Sequence, residues 1–518
     1  MAADREPWNF WDRARSHPDR PAVVEAGRVA LTYGELAERV NKICHALREL
    51  RVVRGDRVAA MMTNTWEFTG LQLAASQIGL YFTAINRHLA PGEVAYVLEN
   101  SAASVLVVGP DLVEVAEQAL TPAGTVRAFS TTTSAFGRES FEALWTRQPA
   151  SAPDDRTAGA RLFYSSGTTG RPKGILQPLP GATPEVVAEA LRTTGEQLGL
   201  RPGAGVHYAV APLYHSGPNS MMLQALHRGH QVLLTPHRPF DAEAVLATMT
   251  THGVTDTFMV PTMFHRFLRA PDDARAAFDP SRLDTVVHSG AGCPVATKRA
   301  MLDWWGSVFV EFYGGTETGI ATIVDSRTWL EAPGTVGRAR AGYDVKIVDS
   351  AGESLPPGTE GQIAIKGGPA FCYLGDPEKT AAAVVDGYCL LGDIGRVDEA
   401  GFLFVLDRRA DLILSGGVNI YPAEVEAALL SHPAVTDAVV FGVPDEEWGA
   451  VVSALVAWRG RAADQEAHEE LDRHLRTSIA SFKRPRYLHF VDEVPRMESG
   501  KVNRSVARTR FLELHTPG

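Results

Sequence analysis

The sequence predicts an α/β protein: a large amino-terminal domain of doubly wound sheets plus a small β-barrel, followed by a smaller α+β domain. Three observations carry this. Short apolar runs alternate with helical stretches as far as about Val345, the pattern of parallel sheets covered on both faces. From Val345 the runs become short and are separated by turns, which predicts a small antiparallel barrel or sheet closing the large domain. From about residue 411 a second strand and helix alternation begins, and 518 residues with 45% apolar content can fill more than one core.

Thr32-Tyr33-Gly34-Glu35 has the form of a capping box, and Leu36, Val40, Ile43, Leu47 and Leu50 follow at helical spacing. Strands are predicted at Val58 to Met62 and Ser104 to Gly109, with helices over Trp66 to Ile78 and from Gly92 to Leu98 after Pro91. Residues 148 to 160 read as a loop. Further strands are expected at Gln231 to Leu234, Thr257 to Val260, Thr285 to Val287 and Val308 to Phe312, each ending at a small or polar residue where ligands collect in open α/β sheets. In the turn-rich region the candidates are Val345 to Val348, Gln362 to Lys366, Gly387 to Leu391 and Phe402 to Leu406. Beyond it come a helix with Pro422 in its first turn, strands near Ala438 to Val443 and Ala454 to Ala457, and a helix over 466 to 480.

Composition excludes several classes of function. Fifty basic against 61 acidic residues give a net charge of −11, so no global field attracts nucleic acid or anionic lipid. No apolar run approaches a membrane span, the amino end lacks an apolar signal core, and the carboxyl end carries no recognisable address. Cys44, Cys293, Cys372 and Cys389 form no CxxC pair and read as packing thiols, so a cytoplasmic protein is expected.

The stretch Tyr164-Ser165-Ser166-Gly167-Thr168-Thr169-Gly170-Arg171-Pro172-Lys173-Gly174 has the composition of a phosphate cradle. Glycines let backbone N–H groups approach an anion, and the hydroxyls donate further bonds. A P-loop is disfavoured, since Lys173 is followed by Gly174 rather than Ser or Thr. Tyr313-Gly314-Gly315-Thr316-Glu317 follows a predicted strand and combines an aromatic ring for a base, close-approach glycines, a hydroxyl for phosphate and a carboxylate for a hard cation. Gly290-Ala291-Gly292 leaves room for a flat ring after another strand. Asp393, in Gly392-Asp393-Ile394-Gly395, suits a cis-diol because a carboxylate accepts two charge-assisted bonds, and Asp407-Arg408 follows. Gly416 and Gly417 lie in Ser415-Gly416-Gly417-Val418-Asn419-Ile420-Tyr421-Pro422-Ala423-Glu424, and Lys501 closes Pro495-Arg496-Met497-Glu498-Ser499-Gly500. A lysine on a flexible loop supplies a point charge for developing negative charge.

These motifs, in this order, resemble those of the adenylate-forming superfamily, and Pro212-Leu213-Tyr214-His215 resembles its acid–CoA ligase branch. The resemblance implies a boundary at the hinge, with an adenylate- and acyl-binding domain over 1–409 and a mobile domain over 410–518. It implies ATP, Mg²⁺ and coenzyme A, with Ser165, Ser166, Gly167, Thr168, Thr169 and Lys173 on the phosphates. Thr316 would touch the α-phosphate and Glu317 would hold Mg²⁺. Tyr313, Gly314, Gly315, Gly290, Ala291 and Gly292 would line the nucleotide and acyl pockets, Asp393 and Arg408 the ribose, and Gly416 and Gly417 the pantetheine arm. His215 would lie where carboxylate and thiol meet, and Lys501 would assist adenylation. Two positions depart from the pattern: Val418 replaces a frequent glutamate, and the hinge position, usually Asp or Lys, is Ala410, with Asp411 next.

The activity expected is activation of a hydrophobic carboxylic acid (fatty, aryl or polycyclic) to an acyl-adenylate, then transfer to coenzyme A, by a monomer or homodimer. Met221, Met222, Phe258, Met259, Val260, Met263 and Phe264 suit such an acid, or a core. An acyl-AMP ligase loading a carrier-protein thiol, a non-catalytic adenylate-binding protein and a luciferase-type oxygenase remain as alternatives.

Overall fold

The computed structural model describes residues 6–25, 29–120, 124–165, 172–235, 240–408, 411–415, 418–445, 448–459, 464–497 and 500–515. Two large sheets dominate. One has seven strands, in the order Cys372–Tyr373, Lys173–Leu176, Ala160–Ser165, Tyr81–Ala84, Arg57–Met61, Val105–Val108 and Arg127–Ser130. Its last five strands pair in parallel and its first three antiparallel. The other has nine, in the order Arg338–Ala339, Gly319–Asp325, Phe309–Gly315, Thr285–His288, Asp256–Met259, Val206–Tyr208, Gln231–Leu234, Pro21–Glu25 and Val29–Thr32. Six central strands of this sheet are parallel, from Phe309–Gly315 to Pro21–Glu25.

A shared core joins the sheets. Val58, Phe82 and Phe163 of the first sheet and Val23, Val232 and Leu234 of the second belong to one buried cluster with residues of the helices Tyr33–Glu49, Trp66–Gln77 and Ser216–Arg228. The first of these helices starts at the predicted capping box: the Glu35 N–H donates to Thr32 Oγ1 at 3.2 Å and the Thr32 N–H to Glu35 Oε2 at 2.8 Å. Tyr33 beside it is fully buried, and its hydroxyl donates to the carbonyls of Leu226 and His230 at 2.9 and 2.8 Å. The hairpin of Pro21–Glu25 and Val29–Thr32 was not anticipated. It enters the second sheet beside Gln231–Leu234, a partner some two hundred residues away that no local pattern reveals.

The turn-rich region forms an antiparallel five-stranded sheet of Asp344–Val348, Gly361–Lys366, Tyr388–Val397, Leu403–Arg408 and Val384–Val385. At the carboxyl end, Val435–Asp445, Gly449–Trp458 and Tyr487–Val491 make a three-stranded sheet. Cores on its two faces take residues from Pro422–Leu430 and Gln465–Ser478 on one side and from Arg504–His515 on the other.

A buried ion cluster ties the second sheet together toward the amino ends of its strands Val206–Tyr208, Gln231–Leu234 and Asp256–Met259. Asp256 accepts from Arg228 Nη2 at 2.6 Å and is bonded to the Nδ1 atoms of His207 at 2.5 Å and His230 at 2.8 Å. Burial pushes the Asp256 carboxyl up, but Arg228 and the two histidines outweigh it and hold it well below the ordinary carboxylate range. A carboxyl depressed in the folded state stabilises above the unfolded value of about 3.9, and that contribution fades as pH falls towards the folded value. Asp256→Asn removes the charge that compensates buried Arg228, so a loss of about 3–5 kcal/mol at pH 7 is expected in urea denaturation. The difference from wild type should narrow below about pH 4.

Candidate active site

The carboxyl ends of the parallel strands open on one cleft of about 2120 Å³. Met62 and Ile85 enter it from the first sheet, and Val210, Thr235, Val260 and Ser289 from the second, each just past or at the end of a strand. This is the position where open α/β sheets hold ligands.

Thr316 and Glu317 sit at the tip of the hairpin joining Phe309–Gly315 to Gly319–Asp325. Gly314 permits the turn, since a Cβ there would lie 1.9 Å from the Gly319 carbonyl oxygen. The Gly315 N–H donates to Thr318 Oγ1 at 2.9 Å. Thr316 Oγ1 lies 3.1 Å from Ser216 Oγ, at the start of a helix, and Gln177 Nε2 donates to the Thr316 carbonyl at 3.4 Å. Glu317 Oε1 accepts from the Tyr373 hydroxyl at 3.0 Å. The Lys173 ammonium lies 5.3 Å from the centre of the Tyr373 ring. Strand pairing of Lys173–Leu176 with Cys372–Tyr373 makes this possible. Lys173 has its pKa lowered by burial and by Lys379, with Glu317 and Asp376 acting in the opposite direction.

Asp393 and Arg408 face each other as register partners of two antiparallel strands, which explains their spacing in the sequence. Asp393 lies within the strand Tyr388–Val397, which runs beyond the predicted end at Leu391. Its Oδ2 accepts from the Tyr313 hydroxyl at 2.7 Å and its Oδ1 lies 3.5 Å from Arg408 Nε. Burial raises the Asp393 pKa against the pull of Arg408 and Tyr313. Tyr313 is therefore anchored through its hydroxyl, and its ring packs against the core of the five-stranded sheet. Gly314, Gly315, Thr316 and Glu317 line the cleft, whereas Tyr313 does not.

Lys501 reaches the same cleft from the carboxyl-terminal region. Its pKa is lowered, chiefly by burial and then by Arg408, while Asp393 and Glu317 act to raise it. Four charged groups far apart in sequence thus share one electrostatic environment. Gly500, just before it, is seated against the start of the helix Pro261–Phe267: Thr262 Oγ1 donates to the Gly500 carbonyl at 3.1 Å, and a Cβ on Gly500 would meet Val260 Cγ2 at 3.0 Å.

The apolar residues expected around an acid divide between the cleft and the cores. Met221, Phe258, Val260 and Met263 line the cleft, while Met222, Met259 and Phe264 point away into cores. Alternation along the strand separates Phe258 from Met259. Gly217 brings helix and strand together, since a Cβ there would sit 2.9 Å from Phe258 Cζ. His215 lines the cleft, its ring centre 4.4 Å from that of Tyr214. Of the predicted Gly290-Ala291-Gly292 turn only Gly290, at φ +87°, lines it; Ala291 and Gly292 are exposed outside. The sequence reading missed Ser216, Tyr373 and Arg161. Arg161 Nη1 donates to Ser220 Oγ at 2.7 Å and Asn219 Oδ1 at 3.2 Å, and burial lowers its pKa to about 10. An arginine in an apolar strand was the available signal. Ser166, Gly167, Thr168, Thr169, Gly416, Gly417 and Ala410 lie outside the described residues, as does the side chain of Ser165, whose backbone pairs with Lys173.

Comparison with known proteins matches residues 10–371 to the AMP-binding enzyme model and residues 424–501 to the AMP-binding enzyme C-terminal domain. The chain belongs to the AMP-binding enzyme family. Lys501 is the last residue of the second match. Among relatives, a feruloyl-CoA synthase from an Amycolatopsis species is 35% identical, over 96% of this chain and 97% of its own length. A fatty acid–[acyl-carrier-protein] ligase from Streptomyces coeruleorubidus is 32% identical, over 96% and 95%. Among solved structures, an anthranilate CoA ligase in complex with anthranoyl-AMP superposes with a TM-score of 0.85 at 25% identity, covering 98% of this chain and 99% of that one.

Proposed function

We propose that this AMP-binding enzyme is an AMP-forming acid–CoA ligase for a hydrophobic carboxylic acid, aryl or fatty. The acid's carboxylate attacks the α-phosphorus of ATP and pyrophosphate leaves. The thiol of coenzyme A then attacks the acyl carbonyl, AMP departs, and the thiol proton is lost. The observation that carries this reading is the presence of Lys501 in one cleft with Glu317 and the Asp393–Arg408 pair. Such an arrangement has a cation ready for charge that develops during carboxylate attack, and a carboxylate and guanidinium suited to ribose hydroxyls.

In this reading Lys173 and the loop Ser165 to Thr169, with Thr316, bind phosphates, and His215 lies beside the reacting carboxyl. Glu317 would hold Mg²⁺ together with substrate phosphates. The residues fit: Glu317 brings a carboxylate into the cleft, and magnesium typically takes one or two carboxylates plus phosphate oxygens. The ion would neutralise phosphate charge. The domain division at 409/410 is kept as the hinge of this scheme. Four free cysteines support a cytoplasmic enzyme. Among the described residues no helix is long and apolar enough to cross a membrane.

Met221, Phe258, Val260 and Met263 support an apolar acyl group. An α-ammonium packed against these four side chains would be buried against groups that cannot pair with it, at a cost of several kcal/mol. Acid-dependent AMP release across a panel of cinnamic, benzoic, fatty and α-amino acids is therefore expected to favour apolar acids by about 10²-fold or more. Comparable turnover of an α-amino acid would overturn the assignment of substrate class. A second reading, loading of a carrier-protein phosphopantetheine, is favoured by the fatty acid–[acyl-carrier-protein] ligase among the relatives. The same assay run with coenzyme A and with a holo carrier protein separates the two.

A further inference from the structure

The helix Pro261–Phe267 and the residues just after it make a chain of polar contacts to the carboxyl-terminal region. His265 Nε2 lies 2.9 Å from the Thr436 carbonyl oxygen. Arg269 Nη1 lies 2.8 Å from His265 Nδ1, and Arg269 Nη2 donates to the carbonyls of Leu430 at 3.0 Å and Val435 at 2.6 Å. Arg459 Nη2 returns a bond to the Arg269 carbonyl at 3.1 Å. Because the guanidinium can only donate, His265 Nδ1 accepts and Nε2–H donates, which fixes a neutral ring. Burial and Arg269 together lower the His265 pKa to about 4, in agreement with that tautomer.

The same helix holds Gly500, the residue before Lys501. Thr262 Oγ1 and Arg496 Nη1 both donate to the Gly500 carbonyl, at 3.1 and 2.7 Å. Arg496 in turn forks onto Asp437 through Nε at 2.7 Å and Nη2 at 2.6 Å. Asp437 immediately follows Thr436, the acceptor opposite His265. One clasp therefore runs from Arg269 and His265 across residues 430–437 to Arg496 and the Gly500 carbonyl beside Lys501. Its acceptors on residues 430–436 and at Gly500 are backbone carbonyls, so it specifies one position of the backbone and not merely proximity. Rotation of residues 424–501 against the helix would leave those carbonyls and the guanidinium without partners.

We propose that Arg269, with His265, is a positioning residue that selects the orientation in which Lys501 enters the cleft. This rests on the ligase reading above. A contact made in one orientation and absent from another shifts their populations by its free energy. Bonds to a charged donor of this kind correspond to roughly a 10- to 100-fold shift. Arg269 itself need touch no reacting atom.

The test uses Arg269→Gln and Arg269→Lys in the full-length enzyme, with each half-reaction measured in single turnover and a thermal melt alongside. Expected for Arg269→Gln is acyl-adenylate formation about 10- to 100-fold slower, with thioester formation from supplied acyl-adenylate and coenzyme A within about twofold and the melt unchanged. Arg269→Lys should recover part of the loss, since it keeps the charge but not the fork. Unchanged adenylation, loss of both half-reactions together, or loss of thioester formation alone would each overturn the proposal. A distance measurement between spin labels at the exposed positions Asp273 and Glu466, with AMP bound, reads the clasp without catalysis. Arg269→Gln should broaden that distance, and an unchanged distribution would contradict the proposal. Failure of the ligase reading is distinguished because it would leave wild type itself without acyl-adenylate for any acid.

Discussion

Replacing Lys501 with alanine is expected to slow acyl-adenylate formation by about 10²–10³-fold, the scale of removing one preorganised charge donor from a catalytic site. Thioester formation from a supplied acyl-adenylate should be nearly unaffected. The asymmetry follows from where charge develops. In the proposed first half-reaction a carboxylate oxygen bonds to phosphorus, and negative charge would build beside Lys501, Arg408 and the phosphates. In the second, the thiolate and the acyl carbonyl carry it. Lys501 also titrates in an informative direction. Burial and Arg408 lower its pKa below that of an ordinary lysine. The active form is the cation, so it is lost as pH rises through that lowered value. Adenylation should therefore decline on the alkaline side below about pH 10.4, and the decline should vanish in the alanine variant. Wild-type adenylation by Lys501→Ala would remove the lysine from the reaction.

Glu317→Gln is expected to reduce adenylation by about 10²-fold with the protein still folded, since a carboxylate supporting a divalent cation contributes several kcal/mol of charge stabilisation. The isosteric amide keeps an acceptor for the Tyr373 hydroxyl, now bonded to Glu317 at 3.0 Å, so local packing is preserved. The variant should need more Mg²⁺ to reach half its maximal rate, and that shift reports metal affinity separately from turnover. Unchanged pyrophosphate release at low Mg²⁺ would take Glu317 out of the site.

Much of this architecture was legible locally. The Thr32–Glu35 capping box and the strand Gln231–Leu234 appear where spacing and apolar runs placed them, because each is decided by a few consecutive residues. The paired strands Pro21–Glu25 and Val29–Thr32 were not, because the first of them pairs along its other edge with a strand far along the chain. At the site, the order of motifs singled out Thr316, Glu317, Asp393, Arg408 and Lys501 as candidates, and all five line the cleft. What order could not supply was orientation. Tyr313 turns its ring into a core and presents only a hydroxyl to Asp393, and of three exposed residues Gly290 lines the cleft while Ala291 and Gly292 do not. Tyr373 and Ser216 sit in segments with no motif of their own, and they reach Glu317 and Thr316 through strand pairing and helix placement. The clasp of Arg269 is built on main-chain carbonyls, which carry no sequence signal.

The most direct test of the central claim is a quenched-flow experiment on the wild-type protein with ATP, Mg²⁺ and a hydrophobic acid, first without and then with coenzyme A. Without the thiol, pyrophosphate should appear in a burst close to the enzyme concentration, with acyl-adenylate retained. Addition of coenzyme A should then release AMP and an equal amount of acyl-CoA. Acid-independent pyrophosphate release, or ADP in place of AMP, would contradict an adenylating ligase.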